Sequence, residues 1–271
     1  MISISKIQTG INILKNGFET LCLSVVFHCN LNCAYCGALS PLSEEYFVDI
    51  NKFKNYMEKL SLLVPSNKFN RVHIAGGEPL LHPDIIDIII YTRKAYPTKE
   101  IELLTNGLLL DKMTDKFKKC IYDNNIVISV SDYNVLNNRE KLLEDYNSFG
   151  IPLNFSSPKD IFYYFTYDLE GKQDKNQSLE YCKYCRCLSV IEDKVYLCGT
   201  DFFIRRNLGP YLKTEISEED SGESIYESNS YSDIIIKLLK KFPIDSCKFC
   251  KFPIKEGKWK LSKEPHIKNF I

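Results

Sequence analysis

The chain has 271 residues, enough for one large domain or for a domain with a small extension. Lys+Arg and Asp+Glu both number 35, so the net charge is zero and no general attraction to nucleic acid or another polyanion is built in. Eleven cysteines without an export signal point to metal ligation and a reduced, cytoplasmic setting, and the longest apolar block, residues 85–90, is too short to span a membrane and contains Asp87.

Residues 1–20 read as an irregular lead-in or one edge strand. The apolar run 21–27 reads as a buried strand, and Cys29, Cys33 and Cys36 follow on the loop leaving its C-terminal end. Residues 44–64 carry apolar side chains at helical spacing and stop at Pro65. A strand at 71–75 runs into Gly76-Gly77-Glu78-Pro79, and His82-Pro83-Asp84 opens a helix ending at Tyr96. A strand at 101–105 leads to the turn Asn106-Gly107, a helix to 111–122, a strand to 126–131, a helix to 137–149 and a fifth strand to 153–155. This alternation predicts an α/β fold with a parallel sheet, whose reactive groups gather at the C-terminal strand ends. The cysteine loop, the Gly-Gly-Glu turn, Asn106 and the serines Ser129 and Ser131 all fall there, the two serines on one strand face.

Three thiols at C-x-x-x-C-x-x-C spacing can wrap one face of a [4Fe–4S] cube and leave the fourth iron open to a ligand. The alternative, a structural zinc site, needs a fourth donor. With Tyr35 just before the last cysteine and Gly-Gly-Glu one strand later, the sequence resembles the radical S-adenosylmethionine (SAM) superfamily. The resemblance implies a partial (β/α) TIM-type barrel, truncated here because only four or five units are legible. It gives Cys29, Cys33 and Cys36 to a SAM-binding [4Fe–4S] cluster and Gly76, Gly77 and Glu78 to the SAM amino group. Glycines let a backbone approach a ligand, and the carboxylate accepts from an ammonium. Ser129 and Ser131 are implied ribose contacts and Tyr35 an adenine contact. Asn106 and Asn154 are further pocket candidates, His28 and His73 are proton carriers by type only, and Cys22 and Cys120 read as packing residues.

Beyond residue 156 the texture changes. Residues 162–165 are an aromatic patch and 170–178 a polar loop. A hairpin centred on Glu192-Asp193 sets Cys187 across from Cys198. An acidic, serine-rich loop covers 214–231, a helix 232–242, and Cys247-x-x-Cys250 follows, with Trp259 packing the C-terminal segment. This part resembles the Twitch domain, the short form of SPASM, which implies an auxiliary [4Fe–4S] cluster on Cys198, Cys247, Cys250 and one earlier cysteine. Cross-strand geometry favours Cys187, the family's longer spacing favours Cys182, and Cys185 stays open, as does a zinc site built from two C-x-x-C pairs. The expected division is a barrel at 1–160 and a Twitch-like, hairpin-plus-helix extension at 161–271.

The resemblance implies that SAM is cleaved reductively to a 5′-deoxyadenosyl radical that abstracts hydrogen from substrate, with a flavodoxin- or ferredoxin-type electron donor. An auxiliary cluster near the substrate implies net two-electron oxidation, as in a radical SAM dehydrogenase of aminocyclitols, and a sugar- or aminocyclitol-like small molecule. Peptide maturation is the alternative, although residues 1–20 cannot hold a leader-binding domain. A third reading, epimerisation, would draw a hydrogen donor from Cys120, Cys182 or Cys185.

Overall fold

A computed structural model of the chain describes residues 4–156, 162–182 and 187–271, so Cys185 lies outside the described residues. The chain opens with α1 (Ile4–Asn16), then β1 (Phe18–Val26), α2 (Ile50–Leu63), β2 (Phe69–Gly76), α3 (Ile85–Ala95) and β3 (Glu100–Thr105). It continues through α4 (Asp115–Asp123), β4 (Ile126–Val130), α5 (Arg139–Ser148), β5 (Leu153–Phe155) and β6 (Phe162–Tyr164). The last part holds α6 (Lys175–Tyr181), β7 (Cys187–Ile191), β8 (Lys194–Tyr196), α7 (Gly199–Phe203), β9 (Glu223–Ser224), α8 (Tyr231–Lys241) and β10 (Lys255–Gly257).

Eight strands form one open sheet in the order β5-β4-β3-β2-β1-β7-β8-β9, and β10 pairs with β6 separately. From β5 to β7 every pairing is parallel; β8 and β9 return antiparallel. This is the partial barrel expected from the alternation, and the sheet does not close. One strand was not legible as a barrel strand: β7 is both the first arm of the expected hairpin and a parallel neighbour of β1, with Leu21 opposite Leu188. The sheet therefore continues past residue 160.

The strands are two-faced. Leu21, Leu23, Val72, Ile74, Ile101, Leu103, Ile126, Ile128, Leu188 and Val190 are buried in one core with Phe53, Tyr56 and Leu60 of α2, Ile88 and Ile89 of α3 and Ile121 of α4. The alternate residues, among them Cys22, Arg71, His73, Glu102, Ser129 and Ser189, are only partly buried and form a polar inner face.

Several boundaries move for identifiable reasons. The lead-in is a helix, stopped at Gly17, which takes φ 77° and leaves no room for a Cβ beside the carbonyl of Lys68. Residues 44–48 are extended because Phe47 bridges Val26 and Val48 N donates to Val25 O at 3.1 Å; α2 starts only where Asp49 accepts from Lys52 N. Thr114 caps α4 in the same way, accepting from Phe117 N, so that helix begins four residues later than expected. Asp174 accepts from Asn176 N and Gln177 N, and so turns the second half of the expected 170–178 loop into α6. No described helix is long and apolar enough to cross a membrane.

Leu23 is 1% exposed on the strand at the middle of the sheet. Leu23→Ala should cost about 2–5 kcal/mol, read as a lower guanidinium midpoint at unchanged slope.

Candidate functional site

Above the C-terminal end of β1 the chain turns through residues 27–37. Phe27 anchors the start, stacked on Tyr46 at 4.3 Å and edge-on to Phe203 at 5.6 Å. The Sγ of Cys29 accepts from Leu31 N at 3.4 Å and lies 3.7 Å from Asn106 Nδ2. Burial pushes the Cys29 thiol up to about 12 and Cys33 to about 11, and each is raised further by neighbouring thiols of the same loop. The three thiols therefore lie within electrostatic reach of one another. His28 accepts from Tyr46 N through Nδ1 at 3.2 Å, a structural bond.

The segment after β10 straps this loop from outside. Cys33 bridges Leu261, Ala34 N donates to Lys260 O at 2.9 Å, Ser262 N to Asn32 O at 2.8 Å, and Tyr35 N to Asn269 O at 3.1 Å. Tyr35 sits at φ 63° with its ring stacked on Tyr164, centroids 4.2 Å apart. One face of that ring is thus already occupied.

Gly76 and Gly77 make a close approach, but to the cysteine loop rather than to open space. Gly77 N donates to Val26 O at 2.7 Å and Glu78 N to His28 O at 3.1 Å. A Cβ on Gly77 would stand 1.8 Å from His28 O, and one on Gly76, at φ 142°, 2.1 Å from Val26 O. Glu78 is fully buried. Its Oε1 accepts from Leu80 N at 3.0 Å and Thr105 Oγ1 at 2.8 Å, and its Oε2 from Asn106 N at 2.8 Å. Burial raises this carboxyl against the pull of those three donors. Asn106 passes the link on, its Nδ2 donating to Asn30 Oδ1 at 2.7 Å.

The two serines part company. Ser131 holds the hydroxyl of Tyr133, which lies among the fields of Cys29, Cys33 and Cys36; burial and those thiols raise the phenol. Ser129 instead donates to Glu102 at 3.3 Å on the inner face, where Glu102 also meets Arg71 at 2.7 Å and His73 at 3.4 Å. Asn154 is exposed on β5. Tyr133 was missed in the sequence, although its place two residues past Ser131 continues the strand's alternation toward the cysteine loop.

The second cysteine set is resolved in part. Cys198 lies half-buried just before α7, and its thiol is held well above the usual range by desolvation and then by Cys250, Cys182 and Cys247; Cys250 likewise feels Cys247 and Cys182. Cys182, Cys198 and Cys250 line one small cavity with Phe165 and Tyr167. The hairpin has the register expected from Glu192-Asp193, but its ladder ends at Ser189–Tyr196, two residues short of Cys187 and Cys198, and Cys187 sits with Thr20 and Cys22 on the inner face. Cys120 lies far from both sets, its thiol near Ile86 O.

Among the described residues no three Cys, His, Asp or Glu side chains converge on a single metal-ion position. A zinc ion draws its thiolates to about 2.3 Å from one point. Each cysteine of an iron–sulfur cube instead binds its own iron, so a set of neighbouring, buried or half-buried thiols that share no single ion position fits a cube. Between the two sets lies a cavity of about 260 Å³, reaching from Gly37, Ala38 and Gly76 past Cys22 and Cys187 to Cys198 and Thr200.

Gly77→Ala should lower stability by about 1–3 kcal/mol because the methyl displaces the loop backbone, and should abolish iron uptake on reconstitution. Gly209→Ala, where a Cβ meets nothing within 4 Å, is the matched neutral control.

Residues 23–153 match the family model of the radical SAM superfamily. A probable GTP 3′,8-cyclase of Methanococcus aeolicus is 38% identical over 104 residues, 37% of this chain and 33% of that protein. The GTP 3′,8-cyclase of Clostridium acetobutylicum is 38% identical over 102 residues, 37% of this chain and 31% of that one. The chain thus spans about a third of the length of these relatives. Among solved structures, BtrN in complex with AdoMet and 2-DOIA shares the fold, with a TM-score of 0.50 at 20% identity over 86% of this chain and 93% of that one. Residues 23–153, just under half of this chain, are thus similar to the radical SAM superfamily.

Proposed function

We propose that this enzyme oxidises a small, hydroxyl-bearing molecule of sugar or aminocyclitol type, with a net loss of two electrons. The observation that carries the reading is the cavity strung between the two cysteine sets. Cys29, Cys33 and Cys36 are the proposed ligands of the SAM-binding [4Fe–4S] cluster, and Cys182, Cys198, Cys247 and Cys250 those of an auxiliary [4Fe–4S] cluster. In this family a reduced cluster and SAM supply a 5′-deoxyadenosyl radical that takes a hydrogen atom from substrate, and an auxiliary cluster would receive the electron left behind.

The chain's own residues supply placement and exclusion of water. Phe165, Leu197 and Phe203 give the cavity apolar walls, and Ser24, Ser189 and Thr200 offer hydroxyls to a polyol. At about 260 Å³ the cavity is at the small end for ligand sites, which run from roughly 300 to 1,000 Å³. None of its lining residues is charged, so a triphosphate would find no cation there. That weighs against carrying the relatives' GTP chemistry over to this chain.

In the same reading the carbonyls of Gly76 and Gly77 face the SAM ammonium, with Glu78 acting as a fixed negative charge behind them. Ser131 and Tyr35 stay with the nucleoside, Tyr35 through its backbone, while Ser129 is engaged by Glu102 on the inner sheet face, outside the cavity lining. The division near residue 160 separates the SAM half from the auxiliary half, and a flavodoxin- or ferredoxin-type protein delivers the first electron. Epimerisation is the second reading, favoured by one observation: Cys22 and Cys187, rather than Cys120, present thiols to the cavity.

Iron analysis after anaerobic reconstitution tests this. About eight irons per chain are expected, falling to about four in Cys247→Ala/Cys250→Ala and in Cys182→Ala but not in Cys187→Ala. Four irons in every variant would remove the electron acceptor and leave epimerisation as the better reading.

A further inference from the structure

Trp259, the single tryptophan of the chain, opens the strap that runs back over the cysteine loop, one residue before the Lys260–Ala34 hydrogen bond and two before the Leu261–Cys33 bridge. Its ring lies flat on Tyr133, centroids 5.2 Å and planes 19° apart. Phe162 of β6 meets Tyr133 edge-on at 6.2 Å, and Ser131 holds the Tyr133 hydroxyl. Strand β4, the β6–β10 pair and the strap therefore fix the direction of the indole N–H. That N–H is shut off from solvent, makes no conventional hydrogen bond, and lies beside the Cys33 thiol.

A buried donor without an acceptor is costly, and structures rarely keep one without a reason. A neutral thiol is a weak acceptor, whereas a metal-bound sulfur carries negative charge. We infer that the Trp259 N–H donates to the cluster-bound sulfur of Cys33, with Tyr133 as the platform that aims it, and that this pair raises the reduction potential of the three-cysteine cluster. The inference rests on Cys29, Cys33 and Cys36 being the ligands of that cluster. A donor on a ligand sulfur stabilises the more negative, reduced cluster, so it eases entry of the electron that starts the reaction. Trp259 and Tyr133 are thus positioning residues, acting on the cluster through Cys33.

The test is an anaerobic EPR redox titration of the reconstituted full chain, following the reduced-cluster signal that changes on adding SAM. Trp259→Phe keeps the stack and removes the N–H. It should bind iron like the native protein, yet show a severalfold lower ratio of reduced to oxidised cluster at the native midpoint potential. Tyr133→Phe keeps the platform and should shift the ratio less than Tyr133→Ala, which lets the indole swing away. Because the chain has one tryptophan, biosynthetic replacement with a benzothiophene analogue exchanges only the N–H for sulfur, and covers the case in which Trp259→Phe assembles poorly. An unchanged ratio in Trp259→Phe or in the analogue protein overturns the inference while leaving the cluster assignment intact. Absence of any SAM-responsive signal in the native protein would sink the cluster assignment and the inference together.

Discussion

Two backbone hydrogen bonds hold the site together: Gly77 N to Val26 O and Glu78 N to His28 O. They splice the end of β2 onto the chain leaving β1, and they exist only because neither glycine has a side chain to occupy the seam. Glu78 extends the splice to the end of β3 by collecting Thr105 and Asn106, and Asn106 returns to the cysteine loop through Asn30. Three adjacent strand ends are thereby fixed relative to three thiols. Such a closed set of bonds, buried and fully paired, is the kind that holds one geometry.

The same strands serve two chemistries because a sheet has two faces. The apolar face meets the helices and provides most of the stability; the other meets a cavity and is polar. Arg71, Glu102, His73 and Ser129 line up there across three strands. Arg71 is well exposed, so its ion pair adds little to stability. Burial lowers the basicity of His73 more than Glu102 raises it, which favours the neutral imidazole at neutral pH.

Much of this was legible in the residues. The strand–helix alternation, the loop that carries Cys29, Cys33 and Cys36 and the turn at Gly76-Gly77 follow from short-range pattern, and the structure bears out the α/β partial barrel. What stayed hidden depends on long-range pairing. Nothing local to Cys187 says that its strand joins β1, which sets Cys187 beside Thr20 on the inner face. That Cys182 comes near Cys198 depends on α6, and α6 on the capping carboxylate of Asp174 inside what reads as a polar loop. Tyr35 and Trp259 looked like generic aromatics because their partners, Tyr164 and Tyr133, lie more than a hundred residues away in sequence.

The strap that closes the cysteine loop comes from residues 259–270, and Phe270 is fully buried beside Phe27 and Tyr167. Birth order then matters. At a translation rate of roughly 5–20 residues per second, the thiols leave the ribosome some ten seconds or more before their strap is made. During that interval Cys29, Cys33 and Cys36 sit on an unfinished loop, open to oxidants and stray metals. The cysteine loop therefore reaches its final, strapped form only after the last residues of the chain have been made.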